Sequence, residues 1–96
     1  MRPSLALEGN RQAIREIVAR NRAANPRVFG SVARGEDVDG SDLDLLVDAL
    51  PETTLFDLGG LHHELEDLLG VKVDVVTSRG MRPRIHRSVM AEAVPL

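Results

Sequence analysis

The chain of 96 residues, 43% apolar and 28% charged, is long enough for one domain spanning 1–96 and too short for two. It has no cysteine, which excludes disulfides and thiolate zinc sites, and no apolar run near the roughly 18–20 residues that cross a bilayer. Fifteen acidic residues against 12 basic, a net charge of −3 and only Phe29 and Phe56 as aromatics argue against a general nucleic-acid binder, with neither an overall basic balance nor a base-stacking platform.

The N-terminal residues carry no secretory apolar stretch, so the cytosol is the expected address. The segment from about Ser4 to Ala24 carries Leu7, Ile14, Ile17 and Val18. From Ile14 onward this spacing is one helical stripe. Asn25–Pro26 is expected to end that helix, because a residue before proline avoids the helical region. Arg27–Phe29 is a short strand that runs into Gly30–Ser31, and the Gly- and Asp-rich stretch from Arg34 to Ser41 is a loop. Asp42–Val47 is a second strand. Thr53 or Thr54 caps a helix over Leu55–Leu69, whose stripe of Leu55, Leu58, Leu61, Leu65, Leu68 and Leu69 is expected in the core. The Gly59–Gly60 pair weakens this helix by about 1 kcal/mol per glycine, and Gly70 stops it. Val71–Thr77 is the third strand, Ser78–Gly80 a turn, and Pro83 to about Glu92 a last helix. Ala93–Leu96 either pairs as an edge strand or hangs free.

The predicted fold is therefore α+β: a small mixed sheet with helices packed on one side. Strands two and three, joined through a helix, should be parallel neighbours.

The chemistry concentrates in Phe29-Gly30-Ser31-Val32-Ala33-Arg34-Gly35-Glu36 and in Ser41-Asp42-Leu43-Asp44-Leu45. Side chains alternate along a strand, so Leu43, Leu45 and Val47 face the helices while Asp42 and Asp44 take the open face. The same logic on strand three buries Val71, Val73 and Val75 and sets Lys72, Asp74 and Val76 on the other face. Three carboxylates then meet on one patch, where repulsion raises at least one pKa and a divalent cation relieves it. All-oxygen ligands favour Mg²⁺ or Mn²⁺ over zinc. One ion, or two about 3.5–4 Å apart, would suit phosphoryl transfer. Gly30 lets backbone approach an anion closely, and the Ser31 hydroxyl with the first amides of a helical turn can hold a phosphate. Arg34 either reaches that phosphate or pairs with Glu36.

Blander readings stand beside these. A calcium loop starting at Asp37 fails, because it would need Gly and Glu where Asp42 and Asp48 stand. His62 and His63, on a helix beside Glu64 and Glu66, read as a solvated or partner-facing surface, and His86 reads the same way. Arg79, Arg82, Arg84 and Arg87 form a basic cluster that reads mostly as a solvated face, with a partner contact or a triphosphate role as the alternative.

Gly30-Ser31, ten residues, then Asp42-Leu43-Asp44 resembles the signature of the polymerase-β-type nucleotidyltransferase superfamily. With Arg34-Gly35-Glu36 and Ser41 in between, and Val73-Asp74-Val75 on strand three, it is most similar to the minimal nucleotidyltransferase (MntA-like) branch over essentially the whole chain. The resemblance implies a polymerase-β-like core. It implies that Asp42 and Asp44 are the catalytic metal-binding pair, Asp74 the third carboxylate, and Gly30 and Ser31 contacts of the nucleotide. It further implies Mg²⁺, ATP as AMP donor and, as partner, a HEPN-domain toxin modified on a tyrosine hydroxyl. The alternatives are a small-molecule nucleotidyltransferase of the aminoglycoside-modifying kind and a non-enzymatic antitoxin that acts by occlusion.

Overall fold

The computed structural model describes residues 1–96. In chain order the elements are α1 (Pro3–Glu8), α2 (Arg11–Arg20), β1 (Ala23–Phe29), α3 (Ser31–Arg34), β2 (Leu43–Ala49), α4 (Leu55–Leu69), β3 (Val73–Thr77), a 3-10 turn (Ser78–Gly80), α5 (Pro83–Glu92) and β4 (Val94–Pro95). The four strands form one mixed sheet in the order β3-β2-β1-β4. β1 is antiparallel to β2 and to β4, and β2 is parallel to β3, as the intervening helix requires. The tail therefore pairs as an edge strand.

One core joins α1, α2 and α4 to a single face of this sheet. Leu7, Ile14 and Val18 meet Leu43, Leu45 and Val47, with Leu61 and Leu65 beside them. These are the strand residues that alternation assigns to the buried face. Leu46 points to the other face with Asp44 and Asp48, yet is fully buried. Beside Leu46 that face opens toward Asp42, which is exposed, and Asp44, which is half-buried. α5 crosses from the β3 edge of the sheet to the β4 edge, touches β1 and buries none of its own residues.

The first helical segment differs from expectation. It splits at Gly9–Asn10 into α1 and α2, and α2 stops at Arg20, well before Asn25–Pro26. Asn21 ends it, donating its side-chain amide to the Ile17 carbonyl at 2.8 Å, and Arg22 turns the chain with φ 61°. Pro26 lies inside β1. Between Ala24↔Asp48 and Arg27↔Leu46 two residues of β1 oppose one of β2, so Asn25 (φ 53°) and Pro26 form a bulge. A bulge tolerates proline within a sheet because the extra residue leaves the ladder.

α4 is continuous through Gly59–Gly60. A capping box at Thr54 and Asp57 starts it and left-handed Gly70 ends it. Gly60 is there for contact, since a Cβ would stand 3.0 Å from Asn21 Oδ1. Asn21 also donates to Glu64 Oε1 at 3.1 Å, which locks α2 to α4. The leucine stripe is narrower than expected. Leu61, Leu65 and Leu69 are buried, but Leu55 is 86% exposed and Leu68 39% exposed. Leu55 sits in the first turn, beyond the sheet that covers the middle of the helix.

Arg27 and Asp48 tie β1 to β2. Arg27 donates to Asp48 at 3.0 and 3.3 Å, Asn25 donates at 2.8 Å and the Ser78 hydroxyl at 2.9 Å. The Arg27 bonds, then that of Asn25, hold the Asp48 carboxyl far below the ordinary range. A depressed carboxyl pKa contributes stability above pH 4 that is lost as pH falls toward the folded value. Asp48→Ala leaves the nearly buried Arg27 charge unpaired. It should cost about 2 kcal/mol, less than for a fully buried pair because Asp48 is partly exposed. Urea melts at pH 7 and pH 3 check this: the gap between variant and parent should narrow at pH 3.

Candidate active site

β1 delivers Phe29 to the edge of the open patch, and the chain then bends at Gly30, whose φ of 73° and ψ of −150° are closed to residues with a side chain. The reason is packing. A Cβ on Gly30 would collide with Asp44 Oδ2 and stand 3.1 Å from Asp44 Cγ. The anion that approaches this backbone is the protein's own carboxylate, a role that sequence reading assigned only to a phosphate.

Ser31–Arg34 make one helical turn, closed by left-handed Gly35, whose amide donates to the Val32 carbonyl at 3.2 Å. The following loop is held at both ends. The Ser41 hydroxyl accepts from the Val38 amide at 2.9 Å, just before Asp42. Asp37, whose side chain is buried, accepts the Ser4 amide at 2.9 Å and so caps α1. That amide bond keeps the Asp37 carboxyl below its ordinary value against the effect of burial. Asp37 is thus a structural clamp, and its loop is no calcium site.

Asp42 immediately precedes β2 and lines a groove of about 330 Å³ with Lys72 and Gly70. Asp44 is the second residue of β2, and its direct register partner on parallel β3 is Asp74. Neighbouring strands lie about 4.8 Å apart and register partners share a face, so Asp74 stands beside Asp44 on the patch that also holds Asp42. Phe29 faces Asp44 from β1. Burial first, then the charges of Asp74 and Asp42, raise the Asp44 pKa, and Arg34 alone lowers it. Lys72 makes no ion pair with Asp74.

Arg34 is engaged. Its Nε donates to Glu36 at 2.7 Å, and Nη1 donates to Glu92 Oε2 at 3.1 Å and Oε1 at 3.3 Å. Glu92 Oε1 also accepts the Gly30 amide at 2.8 Å. That bond, then the pairing with Arg34, lowers the Glu92 pKa. Sequence reading missed Glu92, because a glutamate at the end of an amphipathic helix carries no local sign of a contact 62 residues away. His62 and His63 each face a carboxylate one helical turn on, Glu66 at 3.1 Å and Asp67 at 3.5 Å, on the outer face of α4.

No three acidic or histidine side chains converge tightly enough to enclose a cation by themselves. The donor set still suits one. It consists of hard carboxylate oxygens on an open face, and Mg²⁺ is commonly held by one or two such groups with substrate phosphates completing its shell. The sheet thus sets carboxylates on two parallel strands beside a Gly-Ser turn, the arrangement expected of a nucleotidyl-transfer site.

The family model "Nucleotidyltransferase domain" matches residues 11–96, and the chain belongs to that family, in its minimal, MntA-like branch. It is 40% identical over 67 residues to the protein adenylyltransferase MntA of Thermococcus cleftensis, covering 70% of this chain and 68% of that protein. A solved structure described as a candidate minimal nucleotidyltransferase superposes with a TM-score of 0.89 at 48% identity, covering 97% of this chain and 95% of the other. The fold recurs in the Shewanella oneidensis complex of a tri-AMPylated HEPN toxin with its MNT antitoxin. There the TM-score is 0.70 at 20% identity, over 92% of this chain and 69% of that one. The chain is thus a nucleotidyltransferase enzyme. No helix is long and apolar enough to cross a membrane.

Proposed function

We propose that this enzyme is the antitoxin of a HEPN/MNT pair, which works in the cytosol and transfers AMP from ATP to a tyrosine hydroxyl of its cognate HEPN toxin. The observation that carries the reading is the register pairing of Asp44 with Asp74 beside Asp42 and the Gly30 bend. A protein acceptor and a HEPN partner are supported by the relatives, one a protein adenylyltransferase and another an MNT antitoxin in complex with an AMPylated HEPN toxin.

Asp42 and Asp44 would hold Mg²⁺, for which Mn²⁺ could substitute, with Asp74 as a further ligand. The ion, when bound, neutralises phosphate charge and draws electrons from the α-phosphorus. The Ser31 hydroxyl and the amides of the turn after Gly30 bind the phosphates. Arg34 keeps its pairs with Glu36 and Glu92 and lends its charge to the same turn. The acceptor oxygen attacks the α-phosphorus in line. Its proton passes to a carboxylate oxygen of Asp74, the bond from the α-phosphorus to the α,β-bridging oxygen breaks, and pyrophosphate leaves. Rate enhancement comes from positioning and preorganised charge.

Purified protein, the toxin encoded beside it, ATP and Mg²⁺ should yield toxin heavier by one or more adenylyl groups, located on tyrosine by peptide mass spectrometry. Unmodified toxin that is nevertheless inhibited would support occlusion. Transfer to a small alcohol without toxin would support the small-molecule reading.

A further inference from the structure

We infer that Glu92 is a positioning residue, which holds the Gly30–Arg34 turn in the shape that receives the nucleotide. The inference rests on the nucleotidyl-transfer reading of that turn. α3 has only four residues, and the few backbone bonds that close it, such as Arg34 N–H to the Gly30 carbonyl at 3.1 Å and Glu36 N–H to the Ser31 carbonyl at 2.8 Å, make a single turn that is marginal by itself. One carboxylate braces both its ends. Glu92 Oε1 takes the Gly30 amide at 2.8 Å, and the same carboxylate takes Arg34 Nη1 at 3.1 and 3.3 Å.

The brace has a firm base. Two residues beyond Glu92, Val94 pairs with Val28 and Pro95 with Arg27, so β4 is fixed to the strand that delivers the turn. On its other side Gly30 carries the Asp44 carboxylate. A shift of Gly30 therefore displaces a ligand of the proposed metal site as well as the phosphate-binding amides. α5 contributes no buried residue, so loss of the Glu92 carboxylate should disturb the turn more than the core. The opposite reading makes Glu92 a plug that a phosphate must expel. Expulsion would leave the Arg34 side of the brace empty, and it predicts the reverse outcome.

The test is binding of AMP-PNP with Mg²⁺, measured by calorimetry on wild type, Glu92→Ala and Glu92→Gln, with amide NMR of ¹⁵N-labelled protein. Glu92→Ala should weaken binding about tenfold, the scale of a lost charge-assisted hydrogen bond, and should move the Gly30 amide resonance before nucleotide is added. Glu92→Gln keeps an oxygen for the Gly30 amide. It should hold that resonance near its wild-type position and lose only about threefold in affinity. Either variant binding as tightly as wild type, or more tightly, overturns the inference, and Glu92→Gln decides it should the alanine variant fail to fold. Failure of wild type to bind the nucleotide would bring down the nucleotidyl-transfer reading itself and this inference with it.

Discussion

The double variant Asp42→Asn, Asp44→Asn will lose adenylyl transfer by about a thousandfold or more while remaining folded. Each amide preserves the size of the side chain but removes a proposed anionic ligand of the metal, and groups that stabilise transition-state charge are worth about 10²–10³ in rate apiece. Folding should not suffer. Asp42 is exposed, and Asp44 pays for its half-buried place beside Asp74 with mutual repulsion. Replacing two of three like charges relieves that repulsion, so the melting temperature should equal or exceed the parent's. Transfer is read by radiolabelled AMP on the toxin and stability by calorimetry. Wild-type transfer by the double variant would refute the assignment of these residues. Lost transfer with full toxin inhibition would separate occlusion from modification.

Gly30→Ala should be nearly as damaging for a different reason. At φ 73° and ψ −150° an alanine is strained by about 1–3 kcal/mol, and its methyl enters the space of the Asp44 carboxylate. Either the turn or Asp44 must move, and a misplacement of about 1 Å can cost a hundredfold in rate. Gly35→Ala is the control. Gly35 has φ 71° and ψ 23°, and no atom lies within 4 Å of its would-be Cβ. It should cost about 1–2 kcal/mol through strain alone and change transfer by less than threefold. Equal losses of transfer in the two variants would show that backbone strain, and no contact with Asp44, accounts for Gly30.

The faces of β2 and β3 were readable from neighbouring residues. Leu43, Leu45 and Val47 alternate with Asp42, Asp44 and Asp48, and period two leaves a strand buried on one side only one arrangement. The parallel pairing of β2 and β3 followed because a helix lies between them. The extent of β1 was not readable. Asn25–Pro26 has the local chemistry of a helix stop, and only pairing with β2 on one side and β4 on the other turns it into a bulge inside a strand. Leu55 and Leu68 fit the helical stripe yet remain exposed, because periodicity marks a face without fixing its extent: Leu55 lies before the covered length and Leu68 at the edge of the buried stripe.

The sequence by itself determined the acidic pair at the start of one strand, the third carboxylate on another and the Gly-Ser bend before them, since each depends on residues only a few positions apart. Tertiary structure alone decided that Asp44 faces Asp74 in register, that Gly30 is glycine to admit Asp44, and that Glu92 braces the turn. These contacts join segments 14 to 62 residues apart, and no local propensity or period encodes which partner a side chain will meet across the fold.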